Sequence, residues 1–205
     1  MVSQKRKLLI LLHGYGSDGK DLEPIGSYIK KNIPSLDFIC PNGLEICAVN
    51  PSGYQWFHLS QERNYVFSKD VQNAVDKLYH GFIIEQIELR GIKIEDVILC
   101  GFSQGGMLAL AIGLSLPNKP LLVVSLSGLL LDKIDIVGKN QPNLLLLHGE
   151  DDSVLPIGNY YKAINNLRQN DIKHTSKSFN NLAHSISIEE LDYLIDYLAD
   201  LLQED

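Results

Sequence analysis

Gly101-Phe102-Ser103-Gln104-Gly105 sets a serine between two glycines, where one apolar run gives way to another. Residues 96–100 read as a buried strand and residues 107–116, rich in alanine and leucine, as a helix. A serine on a sharp strand-to-helix turn has its hydroxyl raised above the sheet edge, free to attack a carbonyl. A β-carbon at either glycine would crowd the neighbouring strand or helix, and glycine accepts strained backbone angles. The same five residues also suit an ordinary loop. The chemistry therefore depends on whether the chain supplies a base, an acid and a site for an oxyanion.

A serine hydroxyl is a weak nucleophile near neutral pH and needs an imidazole within hydrogen-bond reach, itself held by an acid. For a serine on this kind of turn the chain order is serine, acid, histidine. His13, His58 and His80 precede Ser103 and drop out. His148 comes before the strongest acid candidates and ends a strand, where a structural role is expected. His174 opens a strand between Lys173 and Lys177 and reads as a solvated edge residue. His184 lies between the last strand and the last helix, where open α/β sheets place their sites, and is the expected base. Ser185 beside it is the expected cap of that helix. Glu150, Asp151 and Asp152 stand in a row after a buried strand, with Asp132 and Asp135 as rivals one strand earlier. Pattern alone does not separate these acids, and a solvated loop accounts for the run equally well. The oxyanion needs two amide donors. One is Gln104, after the nucleophile; the other is Tyr15 in His13-Gly14-Tyr15-Gly16, whose flanking glycines allow close approach.

The elements that must position these groups alternate between strand and helix. Residues 7–12, 37–40, 121–126, 142–147 and 174–179 read as further strands. Helices are expected over 21–31, with Pro24 in the first turn, and over 68–90, closed by Gly91. Two more are expected over 157–169 and 185–202. This alternation predicts a mostly parallel central sheet with helices on both faces. Residues 45–67 show no regular pattern and hold Trp56 and Phe57. A long irregular loop inside a domain is usually functional, so these aromatics either line a ligand cleft or fold the excursion onto the core.

The chain has 205 residues, 45% apolar and 21% charged, which suits one domain spanning 1–205. A net charge of -7 without a basic face argues against nucleic acid and gives no attraction to an anionic bilayer. The apolar run at 8–12 is too short for a secretory signal, and the run at 121–131 is too short to span a membrane. Cys40, Cys47 and Cys100 show no metal-ligand spacing and suit a reducing cytoplasm. No dinucleotide, phosphate-loop or zinc-binding motif is present, so no cofactor and no metal is expected.

Five ordered motifs resemble the phospholipase/carboxylesterase family of the α/β-hydrolase fold, which includes the acyl-protein thioesterases. They are Leu12-His13-Gly14-Tyr15-Gly16, Gln55-Trp56-Phe57, Gly101 to Gly106, His148-Gly149-x-x-Asp152-x-Val154-x-Pro156 and Ala183-His184-Ser185. The resemblance spans nearly the whole chain and implies Asp152 as the acid, with Tyr15 and Gln104 forming the oxyanion hole. It implies a Ser103–His184–Asp152 serine hydrolase of esters or thioesters with an apolar acyl group, borne by a small molecule, a lipid or a protein. Leu129 and its leucine neighbours, with the Trp56 loop, are the expected lining of the acyl cleft. A homodimer is compatible with this reading. Its rivals are a lysophospholipase-type lipid esterase and a catalytically silent binding module. Relatives commonly carry glycine where this chain has Asn181, and asparagine also tolerates left-handed angles.

Overall fold

The computed structural model describes residues 6–59, 68–131, 136–138 and 141–203. The chain opens with β1 (Lys7–Leu12), α1 (Glu23–Asn32) and β2 (Leu36–Ile39). A short ribbon of β3 (Glu45–Ile46) and β4 (Tyr54–Gln55) follows. Next is one long helical stretch, α2 (Ser68–Leu78) and α3 (Ile84–Arg90), joined through a π turn at Tyr79–Ile83. Then come β5 (Val97–Phe102), α4 (Gln104–Ser115), β6 (Leu122–Leu126) and β7 (Asn143–Gly149). The chain closes with α5 (Gly158–Gln169), β8 (Thr175–Phe179) and α6 (Ile188–Gln203).

Six strands make one sheet in the order β2-β1-β5-β6-β7-β8, and every pairing in it is parallel. Burial explains why β1 reads as an unbroken apolar run. Leu8, Ile10 and Leu12 face one core with Val75, Leu78, Leu108 and Leu167, while Leu9 and Leu11 face a second core with Ile29, Leu194 and Leu198. Each such side chain contributes roughly 1.5–3 kcal/mol by leaving water. Helices thus cover both faces, α2, α4 and α5 on one and α1 and α6 on the other. After β1 the chain turns outward to β2, then crosses back to β5 and builds β6 to β8 on the other side. Loops leaving β1 and β5 diverge there, and the crevice between them is where parallel sheets hold ligands.

Three local expectations change. Residues 45–67 are not structureless: β3 and β4 pair antiparallel, two residues each, too short to leave an alternating pattern, and 60–67 lie outside the described residues. The helix at 68–90 carries a π turn in its middle, although Gly91 ends it in the left-handed conformation as expected (φ 61°). The last helix begins at Ile188, and the Ser187 hydroxyl, not Ser185, accepts the Glu190 amide at 3.1 Å.

The first turn of α6 buries an acid, Glu190. Its side chain is fully buried and, among the described residues, neither carboxyl oxygen completes a hydrogen bond. Burial pushes its pKa up to about 8, against a smaller pull from the Ser187 amide. Between about pH 4.5 and 8 the folded chain therefore holds a proton that the unfolded chain has lost. Stability must fall as pH rises through that window, by at most about 1.4 kcal/mol per pH unit. Urea unfolding of Glu190→Gln should lose this slope, with the variant gaining on the parent steadily from pH 5 to about 8.

Candidate active site

Ser103 sits between β5 and α4 with φ 53° and ψ -116°, a left-handed conformation that a serine adopts only under constraint. The constraint is close packing. A β-carbon at Gly101 would lie 2.1 Å from the Gly105 carbonyl carbon, and one at Gly105 would lie 2.1 Å from the Leu12 carbonyl oxygen. The Ser103 amide donates to Leu126 O at 2.9 Å, tying the turn to the end of β6. The helix starts at Gln104, three residues earlier than the apolar pattern suggests.

His184 lies on the loop between β8 and α6. Its Nε2 is 2.9 Å from Ser103 Oγ and its Nδ1 is 2.6 Å from Asp152 Oδ2. A carboxylate only accepts, so Nδ1 carries the proton and Nε2 offers its lone pair to the serine hydroxyl. Phe102 covers the imidazole, with ring centroids 4.9 Å apart. Asp152 is buried, and its Oδ1 accepts the amides of Val154 and Leu155 at 2.9 and 2.8 Å. These two amides hold the carboxylate still while the other oxygen faces His184.

The loops bearing the acid and the histidine are laced together. Glu150 N–H donates to Phe179 O at 2.9 Å and Asp151 N–H to Leu182 O at 3.0 Å. A β-carbon at Gly149 would lie 2.2 Å from Leu182 O, so only glycine allows this approach. Asn181 takes the left-handed conformation (φ 56°) that the loop requires, as expected for asparagine in place of glycine.

Geometry separates the acids that pattern could not. Asp151 is exposed, and Glu150, also exposed, accepts the Ser178 hydroxyl. Asp132 and Asp135 lie outside the described residues. His148 is buried and spends its Nε2 proton on Leu155 O at 2.8 Å, while burial lowers its pKa. His174 sits at the far edge, its Nδ1 within 2.9 Å of Ile172 O. Burial pushes the Cys40 thiol up to about 12 and the Cys100 thiol higher, so neither supplies a thiolate.

Gly14 packs against the nucleophile turn, where an added β-carbon would lie 3.5 Å from Ser103 Cβ. The following amide, Tyr15 N–H, makes no backbone hydrogen bond among the described residues. Gln104, at the first position of α4, has no intrahelical acceptor for its own amide.

The expected pocket residues fare differently. Trp56 and Phe57 are each only 2% exposed and belong to the core. They fasten the 45–59 excursion to the sheet, and this corrects their reading as cleft lining. Leu129 is half-buried against the same core and keeps surface near the loop after β6. Gln104 was expected only as a backbone donor, whereas its buried side chain is a clamp. It accepts the Trp56 amide at 2.9 Å and donates to Phe57 O at 2.8 Å. A lone polar side chain opening an otherwise apolar helix was the available signal.

A sequence profile described as phospholipase/carboxylesterase matches residues 2–202. The acyl-protein thioesterase 1 of Kluyveromyces lactis is 27% identical, the match covering 97% of this chain and 93% of that protein. The carboxylesterase SOBER1 of Arabidopsis thaliana is 30% identical over 92% of this chain and 88% of its own length. Among solved structures, esterase PE8 superposes with a TM-score of 0.88 at 33% identity, covering 96% of this chain and 93% of that one.

Replacing Gln104 with methionine keeps the backbone amide and the helix but strands a buried N–H and a buried carbonyl. Denaturant unfolding should show a loss of at least about 2 kcal/mol. A loss below about 0.5 kcal/mol would mean that the Trp56 loop is held without the clamp.

Proposed function

The chain belongs to the phospholipase/carboxylesterase family and is a serine esterase, and from that premise we propose that Ser103 is its nucleophile, His184 its base and Asp152 the acid that orients the imidazole. One observation carries the assignment: a single imidazole touches the Ser103 hydroxyl at 2.9 Å and a buried carboxylate at 2.6 Å. Ser103 Oγ attacks the acyl carbonyl carbon while its proton passes to His184 Nε2. Charge gathers on the carbonyl oxygen, where the Tyr15 and Gln104 amides donate to it. The imidazolium then gives its proton to the departing alcohol or thiol, leaving the acyl group on Ser103. Water attacks that ester with His184 again as base, and the carboxylic acid leaves.

The substrate in this reading is a carboxylic ester or thioester with an apolar acyl chain, resting on Leu129 and its neighbours Leu130 and Leu131. Two large apolar side chains, Val154 and Ile188, are also exposed on or beside the loops that carry Asp152 and His184. That thioesterases and carboxylesterases both stand among the relatives supports ester and thioester alike, including an acyl group carried by a protein. Among the described residues no helix is long and apolar enough to cross a membrane. The three unpaired cysteines support a reducing, cytoplasmic setting.

Ser103→Ala should cut p-nitrophenyl ester hydrolysis by about 10⁴-fold or more, and an unchanged rate would remove Ser103 from the mechanism. Asp152→Asn should be severely impaired while Asp151→Asn stays near the parent rate. An acyl series offered as both oxygen esters and thioesters should show rates climbing with chain length. A peak at about two to four carbons would argue against an extended apolar channel.

A further inference from the structure

His13 lies outside the Ser103–His184–Asp152 set, yet both its ring nitrogens and its carbonyl are engaged, Nδ1 by the loop that carries Tyr15 and the other two by Gly43 and Trp56. The side chain is fully buried. Its Nε2 receives the Gly43 amide at 2.8 Å, and its Nδ1 lies 2.7 Å from Gly14 O. An amide can only donate and a carbonyl can only accept, so these two partners fix one neutral tautomer, with the proton on Nδ1. The His13 carbonyl accepts the Trp56 indole N–H at 2.8 Å, and the Trp56 ring packs against the imidazole with centroids 5.0 Å apart. Ser17 N–H adds a second donor to Gly14 O at 3.2 Å.

Gly14 O belongs to the same peptide plane as Tyr15 N–H. In a trans peptide, and no cis bond occurs among the described residues, the carbonyl and the amide point in opposite directions. Two donors pulling Gly14 O toward His13 and Ser17 therefore turn Tyr15 N–H the other way. A glycine at 14 lets the plane rotate cheaply, so without those donors the amide could turn out of place.

We propose that His13 is a positioning residue: through its Nδ1–H bond to Gly14 O it sets the Gly14–Tyr15 peptide so that Tyr15 N–H faces the acyl oxygen. The inference rests on the proposed role of Tyr15 and adds the device that aims it. A second proton on Nε2 would oppose the Gly43 N–H, so the device works only with neutral imidazole. Burial lowers the His13 pKa in keeping with this, while the hydrogen bond to Gly14 and then the Asp18 and Asp21 carboxylates pull the other way. Besides those two carboxylates, the ring faces Tyr54, at 6.5 Å between centroids, and Trp56, which carries no charge.

Two variants and one ligand test it. His13→Leu fills the space without a donor, whereas the amide nitrogen of His13→Asn can occupy the Nδ1 position and donate to Gly14 O. His13→Leu should lose about 10²-fold in kcat, the scale of one misplaced oxyanion donor, with KM within about twofold. His13→Asn should recover at least about tenfold of that loss. A trifluoromethyl ketone carrying the substrate's acyl chain forms a tetrahedral adduct on the serine. Its affinity for the two variants should fall in step with kcat/KM. Nitrogen-15 NMR of the parent near pH 6 should show His13 protonated on Nδ1 alone. A His13→Leu variant with parental kcat, or one whose loss lies wholly in KM or is not recovered by His13→Asn, would overturn the proposal. Failure of the underlying mechanism would read differently, as ester hydrolysis that survives Ser103→Ala.

Discussion

Everything at this site depends on a close backbone contact, the seating of α4 against the end of β5 and β1. Gly101 and Gly105 leave no room for a β-carbon between them, and Gly105 lies equally close to the Leu12 carbonyl. That contact holds Ser103 in a left-handed conformation costing roughly 1–3 kcal/mol, offset by the buried length of α4, where residues 104 to 114 are all buried. The same contact brings the first turn of α4, with its unpaired amides, beside the loop that leaves β1. The Ser103 turn, the free start of α4 at Gln104 and the approach of the loop bearing Tyr15 are thus consequences of one packing decision.

The parallel sheet extends that decision to the rest of the site. β1 and β5 are neighbours, but their chains leave in opposite directions along the sheet, opening a crevice at their carboxyl ends. Asp152 and His184 arrive from β7 and β8, two and three strands away from β5, and only their long loops bring them back. Those loops are stitched to each other through Glu150, Asp151 and Gly149 before either reaches the serine. The Asp152–His184 pair is in effect one assembled unit that docks on the separately strained Ser103 turn.

What was legible in the sequence follows from the range of the forces involved. The strands could be read because burial on both faces leaves continuous apolar runs, and the serine turn because glycine is required by contact. His184 was reachable by order along the chain together with its place on the loop after the last strand. Asp152 could not be told from Asp151 and Glu150 by residue pattern, because the difference lies in which way the backbone faces. That direction is set by a hydrogen bond from Asp151 to Leu182, thirty-one residues on. The β3–β4 ribbon was missed for a related reason. Its register depends on Tyr54 bonding to Gly16 and Ser17, partners far away in sequence, and not on any periodicity of its own. Trp56 and Phe57 looked like ligand contacts because large aromatics in an irregular segment fit that role. The unread element was the Gln104 side chain, which pulls both residues inward.

Three buried or half-buried histidines in this protein show how one side chain acquires different work from what lies against its second nitrogen. His148 points its protonated Nε2 at the Leu155 carbonyl at 2.8 Å, with Asp152 Oδ2 farther off at 3.5 Å, and no proton donor faces that nitrogen. His13 is pinned at both nitrogens by backbone groups, and an amide does not surrender its hydrogen at any accessible pH, so the imidazole can orient but cannot transfer. Of the three, only His184 has a side-chain hydroxyl, that of Ser103, at its unprotonated nitrogen, and in the proposed mechanism that proton becomes mobile once the oxygen begins to bond to carbon. In the proposed mechanism the capacity for base chemistry is decided by the acidity of the facing donor as the reaction proceeds, and among the three only residue 184 faces a donor of that kind.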